Sequence, residues 1–212
     1  MYATYNAIYQ DKHGEEKATI QLEKDGHGLT LVVRGVEFRG YSFRHIIPNP
    51  DTPNQSLELF SIDEDKRLHS FNVVFEIETL VIHRENEIPG KLRANCIVNS
   101  SEADYDYLQL ALTFGDLSVQ SSGGDDGFED ALREIAANLP VGTYIKSCIN
   151  CRFADFEPFC NSGLMGELAC FVKSKDKFIV NRGKSYPGWG KKEWVFVQEF
   201  YLCPEFQKRA ER

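Results

Sequence analysis

The sequence predicts a mainly β protein of the α+β class, with an antiparallel β-sandwich, one helix and a small cysteine-rich C-terminal module. Three observations predict this order. Residues 1–122 alternate apolar and polar side chains with the period of two that strands show. Residues 123–140 carry one apolar stripe at helical spacing. Residues 141–212 hold five of the six cysteines.

The β part consists of short predicted strands separated by turn sequences. These strands are YATYNAIYQ, ATIQLE, LTLVV, SLELFSI, SFNVVFEIETLVI, KLRANCIV, DYLQLALTF and LSVQSS. Asp and Gly in DKHG and DGHG favour tight reversals, so the first three strands are predicted to form a meander. Roughly eight or nine such strands are typical of an antiparallel sandwich or a strongly curled sheet. Cys96 shares a face with apolar neighbours and is predicted to lie in the core.

One amphipathic helix is predicted to follow the β part. Its apolar stripe has helical spacing and consists of Phe128, Ala131, Leu132, Ile135, Ala136 and Leu139. Asp126 and Glu129 resemble a capping box at its start, and Pro140 lies where the helix should end. The predicted domains are therefore a sandwich over 1–122, a linking helix over 123–140 and a cysteine-rich module over 141–212.

Charge is unevenly distributed along the chain. Residues 1–140 carry 24 acidic and 12 basic side chains, whereas residues 141–212 carry 8 acidic and 12 basic ones. Nucleic-acid binding usually needs a clustered basic surface, so the acidic part argues against it and favours a basic protein partner.

The sequence shows neither a secretory signal nor an apolar run long enough to cross a membrane. We therefore expect a cytoplasmic protein without membrane contact. In a reducing cytosol, six cysteines are more often thiols or metal ligands than disulfides.

The cysteine spacing predicts a structural zinc site. Cys148 and Cys151 form a CxxC pair, and 18 and 32 residues then separate Cys151 from Cys170 and Cys170 from Cys203. A CxxC turn directs two thiolates at one ion, and a tetrahedral site needs two more ligands. Since residues 141–212 contain no histidine, a local site is all-thiolate, which is typical of structural zinc.

Two other interpretations of the cysteines stay open. A redox dithiol needs its CxxC at the start of a helix, but RFADFEPF after Cys151 has a proline and no helical stripe. The other interpretation is a set of thiols packed without any ligand. Cys160 lies in the turn-like sequence EPFCNSG and is either a spare thiol or a replacement for one of the four predicted ligands.

The segment NRGKSYPGWGKKEW is a candidate partner-binding loop. It alternates cations with aromatic rings, and its proposed contact residues are Arg182, Tyr186, Trp189, Lys191 and Lys192. Trp, Tyr and Arg are typical anchors of protein interfaces. The same mixture is found in nucleic-acid grooves, and a loop that simply packs over the metal module is the third interpretation.

The C-terminal third resembles an uncharacterised bacterial family, a domain of unknown function. The similarity is carried by LPVGTYIKSCINCRFADFEPF, GLMGELACF and VQEFYLCPEFQKR. The matching positions are Cys148, Cys151, Phe153, Asp155, Gly166, Cys170, Phe171, Gln198, Glu199, Tyr201, Cys203, Pro204, Glu205 and Phe206. The resemblance implies a bacterial origin and supports the predicted ligand set, but it implies no reaction.

These patterns favour a non-catalytic intracellular binding protein, of the kind exemplified by immunity proteins that neutralise basic toxins. No catalytic residue is assigned. The alternatives are a metal- or cysteine-dependent hydrolase with its site between the two parts, completed by histidines of the sandwich, and a nucleic-acid binder that uses the Trp189 loop.

Overall fold

The fold is described from a computed structural model. The described residues are 3–22, 28–99, 106–124, 127–156, 168–181, 193–197, 200 and 203–209. The strands are β1 Ala3–Asp11, β2 Gly14–Leu22, β3 Leu29–Val33, β4 Val36–Gly40, β5 Ile47–Pro48, β6 Phe71–His83, β7 Asn86–Val98, β8 Tyr107–Phe114, β9 Leu117–Gln120, β10 Thr143–Ile145, β11 Ala154–Phe156, β12 Leu168–Cys170 and β13 Val195–Val197. The helices are α1 Asn54–Leu57, α2 Phe128–Asn138 and α3 Lys175–Asn181.

Ten of these strands form one antiparallel sheet, which confirms the mainly antiparallel β class. The order is β5-β4-β3-β2-β1-β6-β7-β8-β9, and β10 pairs separately with β6. Among the described residues, these ten strands form one continuous sheet. One edge of β6 is shared, because β1 pairs with residues 72–75 and β10 with residues 81–83.

One face of this sheet carries the core. Alternate strand residues are fully buried, among them Tyr9, Ile20, Leu31, Phe38, Phe75, Leu92, Cys96 and Leu110. Each fully buried side chain of this size contributes about 2 kcal/mol by leaving water. The core position predicted for Cys96 is confirmed, and burial raises the pKa of its thiol.

The predicted helix is confirmed as α2, which covers part of this face. Phe128, Ala131, Leu132 and Ile135 are buried and pack against β8 and β9. The residue at its N-cap is Gly127, which makes no side-chain cap hydrogen bond. Asp126 of the predicted capping box lies outside the described residues.

The turn between β3 and β4 is tied to the C-terminal end of β1. Arg34 and Gly35 both have positive φ, 51° and 75°, as a two-residue hairpin loop requires. The Arg34 guanidinium donates Nη1 to Asp11 Oδ2 at 2.7 Å and Nη2 to Asp11 Oδ1 at 2.9 Å. It also donates to the Leu59 carbonyl at 2.9 Å and lies over the rings of Tyr9 and Phe60. This cluster fastens three loops to one another.

One strand prediction is wrong. SLELFSI forms the end of α1 and a turn, and its Ile62 makes only an isolated bridge with Leu68. Its residue Phe60 instead packs in the core, where it is buried with its ring 4.8 Å from that of Phe38. Strand β4, which the sequence did not predict, pairs with β3 through the Arg34–Gly35 turn.

The C-terminal part is built from much shorter elements. Strands β11, β12 and β13 have three residues each and form a second antiparallel sheet in that order. Cys148, Cys151 and Phe153 belong to the same apolar cluster as the main sheet. No helix in the described part of the chain is long and apolar enough to cross a membrane. The domain boundaries at 122 and 140 stay predictions.

Candidate metal centre

The CxxC pair forms a tight turn directly after β10. Residues Cys148–Asn150 make one turn of 3₁₀ helix, and the Cys151 N–H donates to the Cys148 carbonyl at 3.0 Å. Both cysteines are buried, with exposed fractions of 1% and 4%. The turn therefore buries two thiols that lie three positions apart in the sequence.

The C-terminal tail is hydrogen-bonded alongside this turn. The Arg152 N–H donates to the Gln207 carbonyl at 2.8 Å, and the Arg209 N–H donates to the Asn150 carbonyl at 2.8 Å. A turn begins at Cys203, whose carbonyl accepts the Phe206 N–H at 3.2 Å. Since these bonds flank Cys151 on both sides, they bring the Cys203 turn to the CxxC turn.

Cys170 reaches the same place through the small sheet. Strand β11 begins three residues after Cys151, and its Ala154 pairs directly with Cys170 of β12. The Phe171 N–H continues this contact by donating to the Phe153 carbonyl at 2.8 Å. Cys170 is buried, whereas Cys203 is half-buried.

Electrostatic effects show that three of the four predicted ligands share one neighbourhood. Burial raises the pKa of the Cys170 thiol, and the nearby Cys203 and Cys151 sulfurs raise it further. The Val172 N–H, which hydrogen-bonds to Cys170, acts in the opposite direction and favours the thiolate. A raised pKa is the opposite of what an activated nucleophilic thiol needs.

Two charged residues lie near these sulfurs, Lys175 and Glu205, and no sequence pattern pointed to Lys175. The Lys175 ammonium, at the start of α3, donates to Glu205 Oε2 at 2.6 Å. This hydrogen bond raises the pKa of Lys175, and the Cys203 and Cys151 sulfurs add to the effect. No sequence period links residue 175 to residue 205, so only the fold reveals this pair.

A buried hydroxyl precedes the first cysteine. Ser147 is fully buried, and its Oγ has no hydrogen-bond partner among the described residues. This hydroxyl is next to the first cysteine in sequence. The predicted ligands themselves are all cysteines, a donor set that suits a centre of four thiolates.

The side chains do not form a complete ligand shell. Within the described ranges, no group of three or more histidine, cysteine, aspartate or glutamate side chains is arranged to hold a metal ion. The ligand set Cys148, Cys151, Cys170 and Cys203 therefore stays a prediction. Cys160 lies outside the described residues, as do the proposed partner-binding residues Arg182, Tyr186, Trp189, Lys191 and Lys192.

Two described histidines of the sheet region, His45 and His83, lie beside hydroxyls. His45 Nδ1 lies 3.0 Å from Ser42 Oγ, and His83 Nδ1 lies 2.7 Å from Thr143 Oγ1. The Ser42–His45 contact has the composition of a nucleophile and base pair, but Ser42 is fully buried. Burial lowers the pKa of His45, and the nearby Arg67 and Arg44 lower it further. The pair therefore fastens the loop after β4 and presents no nucleophile to solvent.

The comparison with family models gives one match. A model described as a family of unknown function (DUF6304) matches residues 3–154. The matched residues include the main sheet, α2 and the CxxC turn, whereas Cys170 and Cys203 lie beyond them. No curated protein and no solved structure matches the chain.

Proposed function

The chain belongs to this family of unknown function, and we propose that it is a non-catalytic binding protein whose C-terminal part is held together by one structural zinc ion. The proposed ligands are the thiolates of Cys148, Cys151, Cys170 and Cys203. The large sheet would serve as the scaffold that presents a binding surface.

The observation that carries the zinc proposal is the convergence of three chain segments that are far apart in sequence. The CxxC turn, the end of β12 and the Cys203 turn are tied together by backbone hydrogen bonds of 2.8 Å at Arg152, Phe171 and Arg209. Each segment contributes at least one cysteine. An ion bound there would draw the sulfurs together into a tetrahedral set.

The donor chemistry favours zinc in a structural role. Four thiolates fill a tetrahedral shell and leave no position for water, whereas catalytic zinc sites keep one position open. The raised pKa of Cys170 also means that zinc has to displace a proton there, so binding should weaken as the pH falls.

The proposal of a basic partner rests on charge. The chain has a formal net charge of −8, and its acidic excess lies in residues 1–140. Exposed carboxylates on the described surface include Glu15, Glu16, Glu58, Glu64, Asp65, Glu76 and Glu78. Charge complementarity of this kind speeds association and selects partners of opposite sign.

Metal analysis of the purified chain tests the zinc site. We expect one zinc ion per chain in the wild type and loss of that ion in Cys203→Ser. Cys96→Ala is the matched control, because it removes a buried thiol from the main sheet and should leave the zinc content unchanged. Replacement by cobalt(II) should give the visible spectrum of a tetrahedral thiolate complex. A wild-type protein without zinc, or a Cys203→Ser variant with full zinc, would contradict the proposal.

A binding screen tests the partner class separately. The wild-type chain is immobilised and exposed to a panel of basic bacterial toxin domains and to acidic domains of similar size. We expect capture of a basic domain with an association rate that falls as salt rises. Capture of no basic domain above background would count against a basic partner while leaving the zinc site intact.

A further inference from the structure

A cation close in the fold to the predicted ligands is held in position by two contacts. Lys175 follows Cys170 by five residues, at the first position of α3. Its Nζ donates to Oε2 of Glu205, which lies two residues after Cys203. The same Nζ lies 5.1 Å from the ring centroid of Phe153, which lies two residues after Cys151.

We propose that the Lys175 ammonium is the counter-charge of the thiolate centre and that Glu205 and the Phe153 ring position it. This inference rests on the proposed zinc site. A zinc ion with four thiolates carries a net charge of −2, and such a charge is costly beside an apolar core unless a cation compensates it. Lys175 is a positioning residue that acts on the centre without binding the metal.

Another nearby cation, Arg209, is already engaged with backbone. The Arg209 guanidinium donates to the Cys151 carbonyl at 3.3 Å and also to the Ala154 carbonyl. Arg209 thus holds the tail against the CxxC turn through main-chain oxygens. The Lys175 ammonium instead contacts the Glu205 carboxylate and the Phe153 ring. The Lys175 side chain is 33% exposed. Its effect on the centre should therefore respond to salt in the solvent.

Zinc affinity, measured by competition with a chromophoric chelator in the full chain, tests the inference. In low salt we expect Lys175→Met to bind zinc about tenfold more weakly than the wild type, at the lower end of the effect of outer partners on metal affinity. Lys175→Arg should keep the wild-type affinity, because it keeps the charge. Lys173→Met is the matched control, since it removes an exposed cation from the turn just before α3 and should not change the affinity.

Salt dependence separates an electrostatic role from a purely structural one. At about 1 M salt the Debye length falls to about 3 Å, so the difference between the wild type and Lys175→Met should nearly vanish. A tenfold loss that persists unchanged at high salt, or that Lys175→Arg also shows, would overturn the inference. Equal affinities of wild type and Lys175→Met in low salt would overturn it while leaving the zinc site standing. A wild-type chain that binds no zinc would overturn both.

Discussion

The β6–β7 hairpin and the cysteine-bearing segment, residues 141–212, are held in place by different kinds of interaction. The hairpin pairs thirteen residues on each strand without interruption, from Phe71 opposite Val98 to His83 opposite Asn86. In the cysteine-bearing segment, by contrast, strands β10 to β13 have three residues each. A long ladder with one buried face fixes its own register, whereas three-residue strands depend on what they are attached to.

The two regions also bury different chemistry. The hairpin places Phe, Val, Ile and Leu on its inner face, so its stability comes from apolar burial. The cysteine-bearing segment also buries apolar side chains, among them Phe153, Leu168 and Phe200, but in addition it brings together three chain segments that carry thiols. The first region should fold without any ligand, while the second should need its ion.

Removing the proposed zinc ion should have the largest effect and should separate the two regions. A structural zinc contributes about 10 kcal/mol to the small module that it closes. After treatment with a strong chelator, we expect the amide protons of Cys151, Arg152, Phe171 and Arg209 to exchange rapidly with solvent. The β6–β7 amides should keep their protection. Hydrogen exchange followed by mass spectrometry of both regions measures this contrast.

If chelation changed amide protection equally in the two regions, the proposed difference between them would be wrong. If chelation left the four amides protected, apolar packing alone would hold the cysteine-bearing segment. If chelation also exposed the hairpin, the ion would stabilise the whole chain rather than its C-terminal part. Adding zinc back to the chelated protein should restore protection, which controls for damage by the chelator.

Phe75→Ala should have the next largest effect, and it should act through the sheet. Phe75 is 2% exposed, and its ring lies 5.8 Å from that of Tyr5 and 6.0 Å from that of Phe43. Truncation leaves a cavity and costs about 4 kcal/mol of the free energy of unfolding. Denaturant titration measures the loss, and Val74→Ala on the opposite face of the same strand should cost only about 1 kcal/mol.

The sheet was largely predictable because its information is local. Alternation of apolar and polar residues along β1, β3, β6 and β8 reports directly on which face is buried. The strand predicted for SLELFSI does not form, because Phe60 packs into the core from a turn. Its apolar side chain gives this stretch a pattern similar to that of a strand. Strand β4 was missed because Arg34, a residue that seldom adopts positive φ, occupies the turn that starts it.

For the candidate metal centre, the sequence predicted which residue types are present but not how they are arranged in space. Cysteine spacing indicates that thiols are available to one ion, but it says nothing about the register that pairs Ala154 with Cys170. Likewise, Lys175 and Glu205 meet across thirty residues that have no shared periodicity. Such contacts depend on how the tail is hydrogen-bonded to the CxxC turn, which sequence patterns do not encode.

Asp11→Asn should destabilise the sheet region by about 3 kcal/mol at neutral pH, because breaking a buried ion pair leaves the remaining charge without a full partner. The side chains of Asp11 and Arg34 are only 1% and 10% exposed. Glu37→Gln is the matched control: it breaks the exposed Glu37–Arg39 pair, and such pairs contribute less than about 1 kcal/mol. Chemical denaturation at pH 7 compares the two variants.

Asp11→Asn should also change how the free energy of unfolding depends on pH. Burial works to raise the pKa of Asp11, but hydrogen bonds from Arg34 and from the His13 backbone outweigh it, so the pKa lies below its ordinary value. A carboxyl with a depressed folded-state pKa stabilises fully above its unfolded pKa and loses that stabilisation as pH falls through the folded value. The free energy of unfolding of the wild type should therefore fall more steeply in acid than that of Asp11→Asn. Parallel acid profiles would contradict this assignment.

Thr79→Val should have the smallest effect and the opposite sign, and it acts where the two regions meet. The Lys146 N–H donates to the Leu80 carbonyl at 2.7 Å, and Thr79 is the residue before Leu80 in β6. Thr79 is 4% exposed, and its hydroxyl has no hydrogen-bond partner within the part of the chain that the structure describes.

Replacing an unsatisfied buried hydroxyl by a methyl of the same shape removes a desolvation cost, so Thr79→Val should raise the free energy of unfolding by about 1 kcal/mol. Thr143→Val is the matched contrast, because the Thr143 hydroxyl lies 2.7 Å from His83 Nδ1, and its loss should lower that free energy by about 1 kcal/mol. Denaturant titration of both variants measures the difference in sign. If both variants are destabilised, the Thr79 hydroxyl has a hydrogen-bond partner, such as a buried water molecule, and this part of β6 is polar rather than dry.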